Sequence, residues 1–594
     1  MSAGPTHNDD RRMHSPRRRA IVLLLLFVAC AVPRIAMAIR LDTISSDGAF
    51  YIQKAREIEL GTRTEAVDKY DLNIYPLVLA WFHRAGWNWE TAAETWGVLC
   101  ASLTVLPLYG WLRRQFNHRL ALLSCLLYAF HPKLIEWTPE VLRESTFWLL
   151  FTTSLYLYWR AAHKGGLPWF LLAGITTTLA IHTRFEGWFL LIPAAWWCLS
   201  RWLAADVPRW KLAGGTCLIA AGYPLTMMGL TLAFGYSQWE WGAFHRVEMA
   251  VRWLFPDAED EEPDVAPATS QQQATARAAE PAVPAATADQ ATAESLAVMD
   301  DPSGDDAERA AAQDYTVDSP VAMPSDSQPA ETSPMTVANA AGTVLKVAVR
   351  GFGYVYMALM LAGAVAGFRR WFRSDYLPLL LVAAVTVGAI AIHVWGAYLA
   401  SSRYVLSLVI LTTPIAATGL LAICTWLAEG VRRADGVVQA KIARQMSRRT
   451  LRFGLAIFAL VGVIDAVSSS DQGREAKAIM GNWIRREFGS GAQVAGSWNW
   501  TLSAYYADAQ YQTLPDCPFM PSDTNLVELV QSMRAKVVMV SPKWPARREF
   551  IEHALNHGYR VVPASEIPKI CRGKLIVLAQ DRSRMVQAEA TRRN

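Results

Sequence analysis

Charge is scarce in this sequence, and so are the short motifs that mark most soluble enzymes. Only 18% of its 594 residues are Asp, Glu, Lys or Arg, against 52% hydrophobic residues and 24 tryptophans. That balance excludes an ordinary soluble enzyme and fits a membrane protein. No GxGxxG, P-loop, HExxH or GxSxG pattern occurs, so nucleotide-binding, zinc-protease and serine-hydrolase chemistries lack their usual residues. Cysteines are few and never spaced CxxC. Of the eight, Cys30, Cys100, Cys125, Cys198, Cys217 and Cys424 lie in or beside apolar runs, which argues against a zinc site or redox motif. No internal repeat is present, and the formal net charge of +5 says less than where the basic residues stand.

What the sequence has is apolar runs of spanning length. The first, Ala20–Ile39, follows Arg11, Arg12, Arg17, Arg18 and Arg19 and reads as an uncleaved signal-anchor rather than a signal peptide, despite the A-x-A pattern at Ala36 and Ala38. Further runs cover Glu94–Leu112, Leu120–Trp137, Ser145–Trp159, Trp169–Ile181, Phe185–Leu199, Leu212–Phe234, Gly351–Gly367, Leu377–Tyr398, Tyr404–Leu427 and Leu451–Val467, giving about eleven spans with the first. With the N-terminus in the cytoplasm, alternate loops carry the bases: Arg113, Arg114 and Arg119; Arg160 and Lys164; Arg201, Arg209 and Lys211; Arg369, Arg370 and Arg373; then Arg432–Arg452. The positive-inside rule closes around the whole chain and puts the C-terminal tail outside.

Two regions break the pattern. Residues 254–341 are rich in Ala, Pro, Thr, Ser, Gln and acids with almost no aromatics, and read as a disordered insertion in an outer loop. Residues 468–594 return to soluble usage: KVVMVSP (Lys536–Pro542), YRVVP (Tyr559–Pro563) and KLIVLA (Lys574–Ala579) read as strands, and NLVELVQSM and REFIEHALNHG as helices, a small α/β domain. Its Cys517 and Cys571 either pair in an oxidising compartment or stay as two buried thiols. The expected division is a basic tail (1–19), a membrane module (20–253) with a first outer loop (40–93), the insertion (254–341), further spans (342–467) and the outer domain (468–594).

The candidate chemistry gathers at the outer face. Asp47 stands in ISSDGAFYIQKAREIELG (Ile44–Gly61), where Ala49, Ile52, Ala55 and Ile58 recur at helical spacing. A plain helix cap is the competing reading of this aspartate. The next outer loop holds Glu140, Arg143 and Glu144; the carboxylates, four apart, share a face if the turn is helical. HTRFEG brings His182, Arg184 and Glu186, and SSRY brings Arg403 and Tyr404. Each alone reads as an interfacial charge. Arginines in most short outer loops, converging on one acid, suit a phosphate-bearing ligand at the membrane edge. Arg34, inside the first span, joins them as a candidate.

In order, these features are an N-terminal span, D-G-x-x-Y-x-x-x-A-x-x-x-x-x-G (Asp47 to Gly61), an amphipathic segment with Tyr75, Pro76 and Trp81, L-R-R-Q-F-N-H-R-L-A-L-L (Leu112–Leu123), an acidic loop, T-R-F-E-G (Thr183–Gly187), and R-Y opening a late span. The chain thereby resembles the GT-C membrane glycosyltransferases, in particular the bacterial relatives of dolichyl-phosphate-mannose protein mannosyltransferases and the aminoarabinose lipid A transferases (glycosyltransferase family 39-like). The resemblance covers roughly 20–253 and 342–467. It departs in having a single Asp47 followed by glycine rather than an Asp-Glu pair, and Ser407 where a proline usually follows R-Y.

The resemblance implies an integral protein of the bacterial inner membrane that moves a sugar from a polyprenyl-phosphate donor to an extracytoplasmic protein, lipid or glycan, with no nucleic-acid partner. Asp47 takes the place of the acid that activates the acceptor, Glu144 with Glu140 that of the second-loop acid, and Arg403, with Tyr404, that of the donor-phosphate ligand. Chemically, Arg403 with Arg143, Arg184 or Arg34 would stabilise the leaving phosphate, while Asp47 takes the acceptor proton in a single inverting displacement. Arginines remove the need for a metal cofactor; Mg²⁺ or Mn²⁺ held by Asp47 and Glu144 is the less favoured arrangement. Alternatives are an envelope-glycan polymerase or ligase with a lipid-pyrophosphate donor and, further off, a transporter.

Overall fold

The structure is a computed structural model and describes residues 15–41, 43–61, 73–235, 337–373, 376–397, 401–434, 440–468, 472–497, 500–514, 526–533, 535–542, 544 and 546–580. The chain opens with α1 (Pro16–Arg40), whose first turn is capped by the Ser15 side chain accepting from the Arg18 N–H. Then come α2 (Ser46–Leu60), α3 (Ile74–Arg84), α4 (Trp89–Leu103), α5 (Val105–Gln115), α6 (His118–Ala129) and the short α7 (Pro132–Glu136). Next are α8 (Glu144–Lys164), α9 (Leu167–Ile181), a 3₁₀ segment at Phe185–Leu190, α10 (Leu191–Ala204) and α11 (Arg209–Phe234). Beyond residue 336 lie α12 (Val337–Phe352), α13 (Tyr354–Ala366), α14 (Phe368–Trp371), α15 (Leu377–Ala397), a 3₁₀ turn at Ser402–Val405, α16 (Leu406–Ala434) and α17 (Ala440–Ser468).

Each of the eleven apolar runs falls on helical structure. By length and hydropathy alone, six segments among the described residues can cross a membrane, or seven if Ala341–Phe352 and Tyr354–Ala366, bent by 100°, count as one. The bend sits at Gly353, whose φ of +72° favours a residue without a Cβ. The helices carry apolar side chains on their outer faces as well as in the core. On α1, Leu24, Leu25, Val32 and Ile39 face outward while Cys30, Arg34 and Met37 are buried, the arrangement expected when lipid is the solvent. The chain is a polytopic helical membrane protein with a small C-terminal sheet domain.

That domain runs through α18 (Gln472–Phe488), β1 (Gln493–Gly496), α19 (Thr501–Tyr506), β2 (Gln510–Thr513), α20 (Leu526–Ser532), β3 (Val537–Val540), α21 (Arg547–Asn556), β4 (Tyr559–Val561) and β5 (Ile576–Gln580). The sheet order is β2-β1-β3-β5-β4, with β1 parallel to β2 and β3, and β5 antiparallel to β3 and β4. Strand alternation sends Val494, Val537, Met539 and Val577 into a core with Met480, Trp483 and Ile484 of α18. The intervening Ala495, Val538, Val540 and Leu578 pack with Val530, Phe550 and Ala554 of α20 and α21. Both faces are thus covered, which is why β3 is apolar at every position rather than at alternate ones. The sequence reading found β3, β4, β5, α20 and α21 but missed β1 and β2, four-residue strands reading QVAG and QYQT.

The insertion read over 254–341 lies outside the described residues except at 337–341, which open α12. Cys517 also lies outside them, while Cys571 is buried with its thiol directed at the Ala476 carbonyl, 3.2 Å away.

Candidate active site

Four separate stretches meet at the end of the helical bundle that adjoins the C-terminal domain. Asp47 occupies the first turn of α2. The cap of that helix is Ser45, whose side chain accepts from the Gly48 N–H at 3.0 Å, so Asp47 is not the cap. Its carboxylate instead accepts from Nη1 of Arg403, on the 3₁₀ turn before α16. Glu144 is the first residue of α8; its Oε1 accepts from Arg184 Nη1 at 2.6 Å and lies 3.9 Å from Arg403 Nε. Arg184 precedes the 3₁₀ segment and grips Glu186 with Nε and Nη2 at 3.1 and 2.5 Å. Asp47, Arg403, Glu144, Arg184 and Glu186 form one chain of alternating charge.

The two ends of this chain differ. Arg184 and Glu144 are almost fully buried, at 8% and 4% side-chain exposure, and every Arg184 nitrogen already donates to a carboxylate. In this structure Arg184 holds Glu144 in place. Arg403 and Asp47 are more open, at 21% and 30%, and form the accessible end. The side chain of Arg143, which precedes α8, makes no hydrogen bond or ion pair among the described residues and lies over the Tyr51 ring, 5.9 Å from its centroid. It is the uncommitted guanidinium of the site. Tyr404 stands under Arg403 and Arg184 at 5.4 and 5.8 Å and meets the His393 ring edge-on at 5.3 Å. The sequence reading passed over His393 because it lies inside the apolar run of α15.

Two expected residues go elsewhere. Arg34 is fully buried and donates to the carbonyls of Cys30 and Ala129 at 2.8 Å, to that of Tyr128 at 3.3 Å and to Thr138 Oγ1 at 3.2 Å. Its donors go to carbonyls near the end of α6 and to the loop leading to Glu140, so in this structure it braces that loop. Glu140 is turned away from Arg403 toward Arg474 of α18, a partner the sequence did not suggest.

Glycine sets the close approach of the two acidic loops. A Cβ at Gly48 would stand 2.8 Å from Val141 Cβ and 3.2 Å from its carbonyl oxygen, so the residue after Asp47 must be small for the Glu140–Glu144 loop to reach α2. The same loops share an apolar cluster containing Ile44, Ala49, Tyr51, Val141 and Leu142, joined by Leu502 of α19. From α19, Tyr505 Oη donates to Glu90 at 2.8 Å and Tyr506 Oη accepts the Ile44 N–H at 3.1 Å. Burial first, then Glu90, raises the Tyr505 hydroxyl. Burial pushes Tyr506 up to about 12, so both remain neutral hydroxyls.

Residues 75–225, which include Glu140, Arg143, Glu144 and Arg184, match the family described as dolichyl-phosphate-mannose-protein mannosyltransferase. No curated protein matches the chain. Among solved structures, ArnT from Cupriavidus metallidurans bound to undecaprenyl phosphate superposes with a TM-score of 0.52 at 12% identity, over 94% of this chain and 98% of that one. The same protein in the apo state gives 0.51 at 12% identity, over 95% and 99%. The chain has the GT-C fold. The Archaeoglobus fulgidus oligosaccharyltransferase in its apo form gives 0.49 at 13% identity, over 87% of this chain and 69% of that one. The family match lies within the helical part of this fold and takes in the loop that carries Glu140, Arg143 and Glu144.

Proposed function

We propose that this GT-C protein transfers a sugar from a polyprenyl-phosphate donor to a protein, lipid or glycan acceptor on the extracytoplasmic side of the bacterial inner membrane. The observation that carries the reading is the Asp47–Arg403 pair: a carboxylate suited to take a proton and a guanidinium suited to hold a phosphate, joined at the open end of a buried ion network. The donor phosphate would replace Asp47 on Arg403 and draw in Arg143. The acceptor oxygen then attacks the anomeric carbon as its C–O bond to phosphate breaks. The bond's electron pair leaves with the lipid phosphate, and the acceptor proton passes to Asp47. One base opposite one leaving group supports inversion. We take arginines, not a divalent cation, to neutralise the phosphate, because Asp47 and Glu144 already face Arg403 and Arg184.

A groove of about 480 Å³, with Val349, Phe352, Tyr356, Phe458 and Val461 among its apolar walls and Arg350 and Lys133 also on its wall, reaches Ser402 beside Arg403, which supports an isoprenoid-phosphate donor. A lipid-pyrophosphate donor is the second reading, and Arg403 and Arg143 are the guanidiniums that would meet either phosphate first. A transporter reading loses ground because the ionic cluster sits at helix starts rather than mid-span.

The test is to incubate the purified protein with a panel of polyprenyl-phosphate sugars and follow lipid-phosphate release. Arg403→Ala should weaken donor binding by about 2–4 kcal/mol, and Arg403→Lys should restore part, because a point charge replaces a two-pronged fork. Donor affinity unchanged in Arg403→Ala would overturn the phosphate assignment. Orientation is tested separately. A cysteine at Ser490 should react with an impermeant thiol reagent from outside the cell and one at Ala204 should not; the reverse would invert the topology.

A further inference from the structure

The active-site loops are also held from the far end of the chain. Arg474, in the first turn of α18, donates to Oε1 of Glu140, whose side chain is only 4% exposed. Glu140 lies four residues before Glu144, on a non-helical stretch bent so that the Leu142 N–H reaches the Glu140 carbonyl at 2.7 Å. The stretch is wedged between Val141, pressed on Gly48, and Thr138, which receives Arg34. Arg474 reaches the reacting groups through Glu140, and so acts at one remove.

We propose that Arg474 is a positioning residue for the transfer reaction. Through Glu140, the C-terminal domain fixes the loop that carries Arg143 and starts α8, and so sets Glu144 and Arg143 against Arg403. This rests on the transfer reading of the site. Removing the Arg474 guanidinium takes a charge-assisted hydrogen bond from a buried carboxylate, and the loop must relax to replace it. That relaxation moves a loop whose only slack is in residues 139–143, since Thr138 and Glu144 are held at both ends. A displacement near 1 Å at an active site costs on the order of 100-fold in rate. Domain docking does not depend on Arg474 alone, because Leu502, Tyr505 and Tyr506 contact α2, Glu90 and Ile44 independently.

The experiment compares full-length Arg474→Gln, Arg474→Lys, Glu140→Gln and the Glu140→Gln/Arg474→Gln pair. Turnover is measured on folded protein, and hydrogen exchange over residues 138–147 is measured without substrate. Arg474→Gln should lower kcat roughly 10- to 100-fold and speed exchange in that segment, while the rest of α8 and the sheet exchange as in the parent. Arg474→Lys should recover part of both. The double variant should exceed Arg474→Gln alone, because glutamine at 140 needs no counter-charge. Exchange over 138–147 unchanged in Arg474→Gln overturns the proposal whether or not a donor has been found. So does a double variant no better than Arg474→Gln, which would make Glu140 itself catalytic. Failure of the donor reading appears differently, as a parent protein inactive with every polyprenyl-phosphate sugar while the exchange difference persists.

Discussion

Replacing Asp47 by asparagine separates a base from a structural charge more cleanly than any other change in the site. The side chain keeps its shape, and the helix cap stays, because Ser45 and not Asp47 accepts from the Gly48 N–H. Two stabilising terms are lost. An acid in the first helical turn contributes about 0.3–1 kcal/mol through the helix dipole, and a part-exposed ion pair such as Asp47–Arg403 contributes about 0.2–1 kcal/mol. The protein should therefore lose less than about 2 kcal/mol of stability. Loss of the base should lower transfer by roughly two to four orders of magnitude, which corresponds to about 2.7–5.4 kcal/mol in the barrier. Donor binding should hold or tighten, since Arg403 no longer has Asp47 as a competing anion. The assays are donor-lipid binding by titration and single-turnover transfer, both on protein shown folded by thermal denaturation. Full transfer in Asp47→Asn, or a loss of transfer matched by an equal loss of donor affinity, would refute the assignment of the base.

Gly48→Ala tests the close packing of the two acidic loops. Its added methyl meets Val141 Cβ at 2.8 Å, so overpacking should cost about 1–3 kcal/mol of stability and reduce transfer; a silent Gly48→Ala in both melting and activity would mean that the loops are not packed as described. Glu186→Gln removes one jaw of the grip on Arg184 and leaves a guanidinium of 8% exposure with Glu144 as its remaining carboxylate. Losing the charge from that hydrogen bond should destabilise the protein by about 1.5–3 kcal/mol, read as a fall in melting temperature.

The parts legible in the sequence were those that stand out against lipid-facing apolar runs. Asp47, Glu144 and Arg403 are charges at the starts of helices in a chain poor in charge; position put them in a wider outer-face group, and the family resemblance set them apart within it. What stayed hidden is what each charge is paired with. Arg34 and Arg403 look alike as sequence, one arginine beside an apolar run, yet Arg34 is surrounded by the carbonyls of Cys30, Tyr128 and Ala129 and Arg403 by carboxylates. Periodicity cannot distinguish a guanidinium that closes a helix end from one that waits for a ligand, because backbone acceptors belong to every residue. Likewise Ser45, Ser46 and Asp47 are all competent caps; only the placement of the Gly48 N–H decides for Ser45. Arg474 reaches Glu140 across 334 residues from a helix that the sequence reading did not single out. β1 and β2 were overlooked for a related reason: four residues reading QVAG or QYQT carry too little alternation, and β1 is buried by β2 and β3 on either side. Within the site, sequence therefore locates the charge, and tertiary pairing shows how it is held: the same network that commits Arg184 to Glu144 and Glu186 leaves Arg403 at its open end beside Asp47.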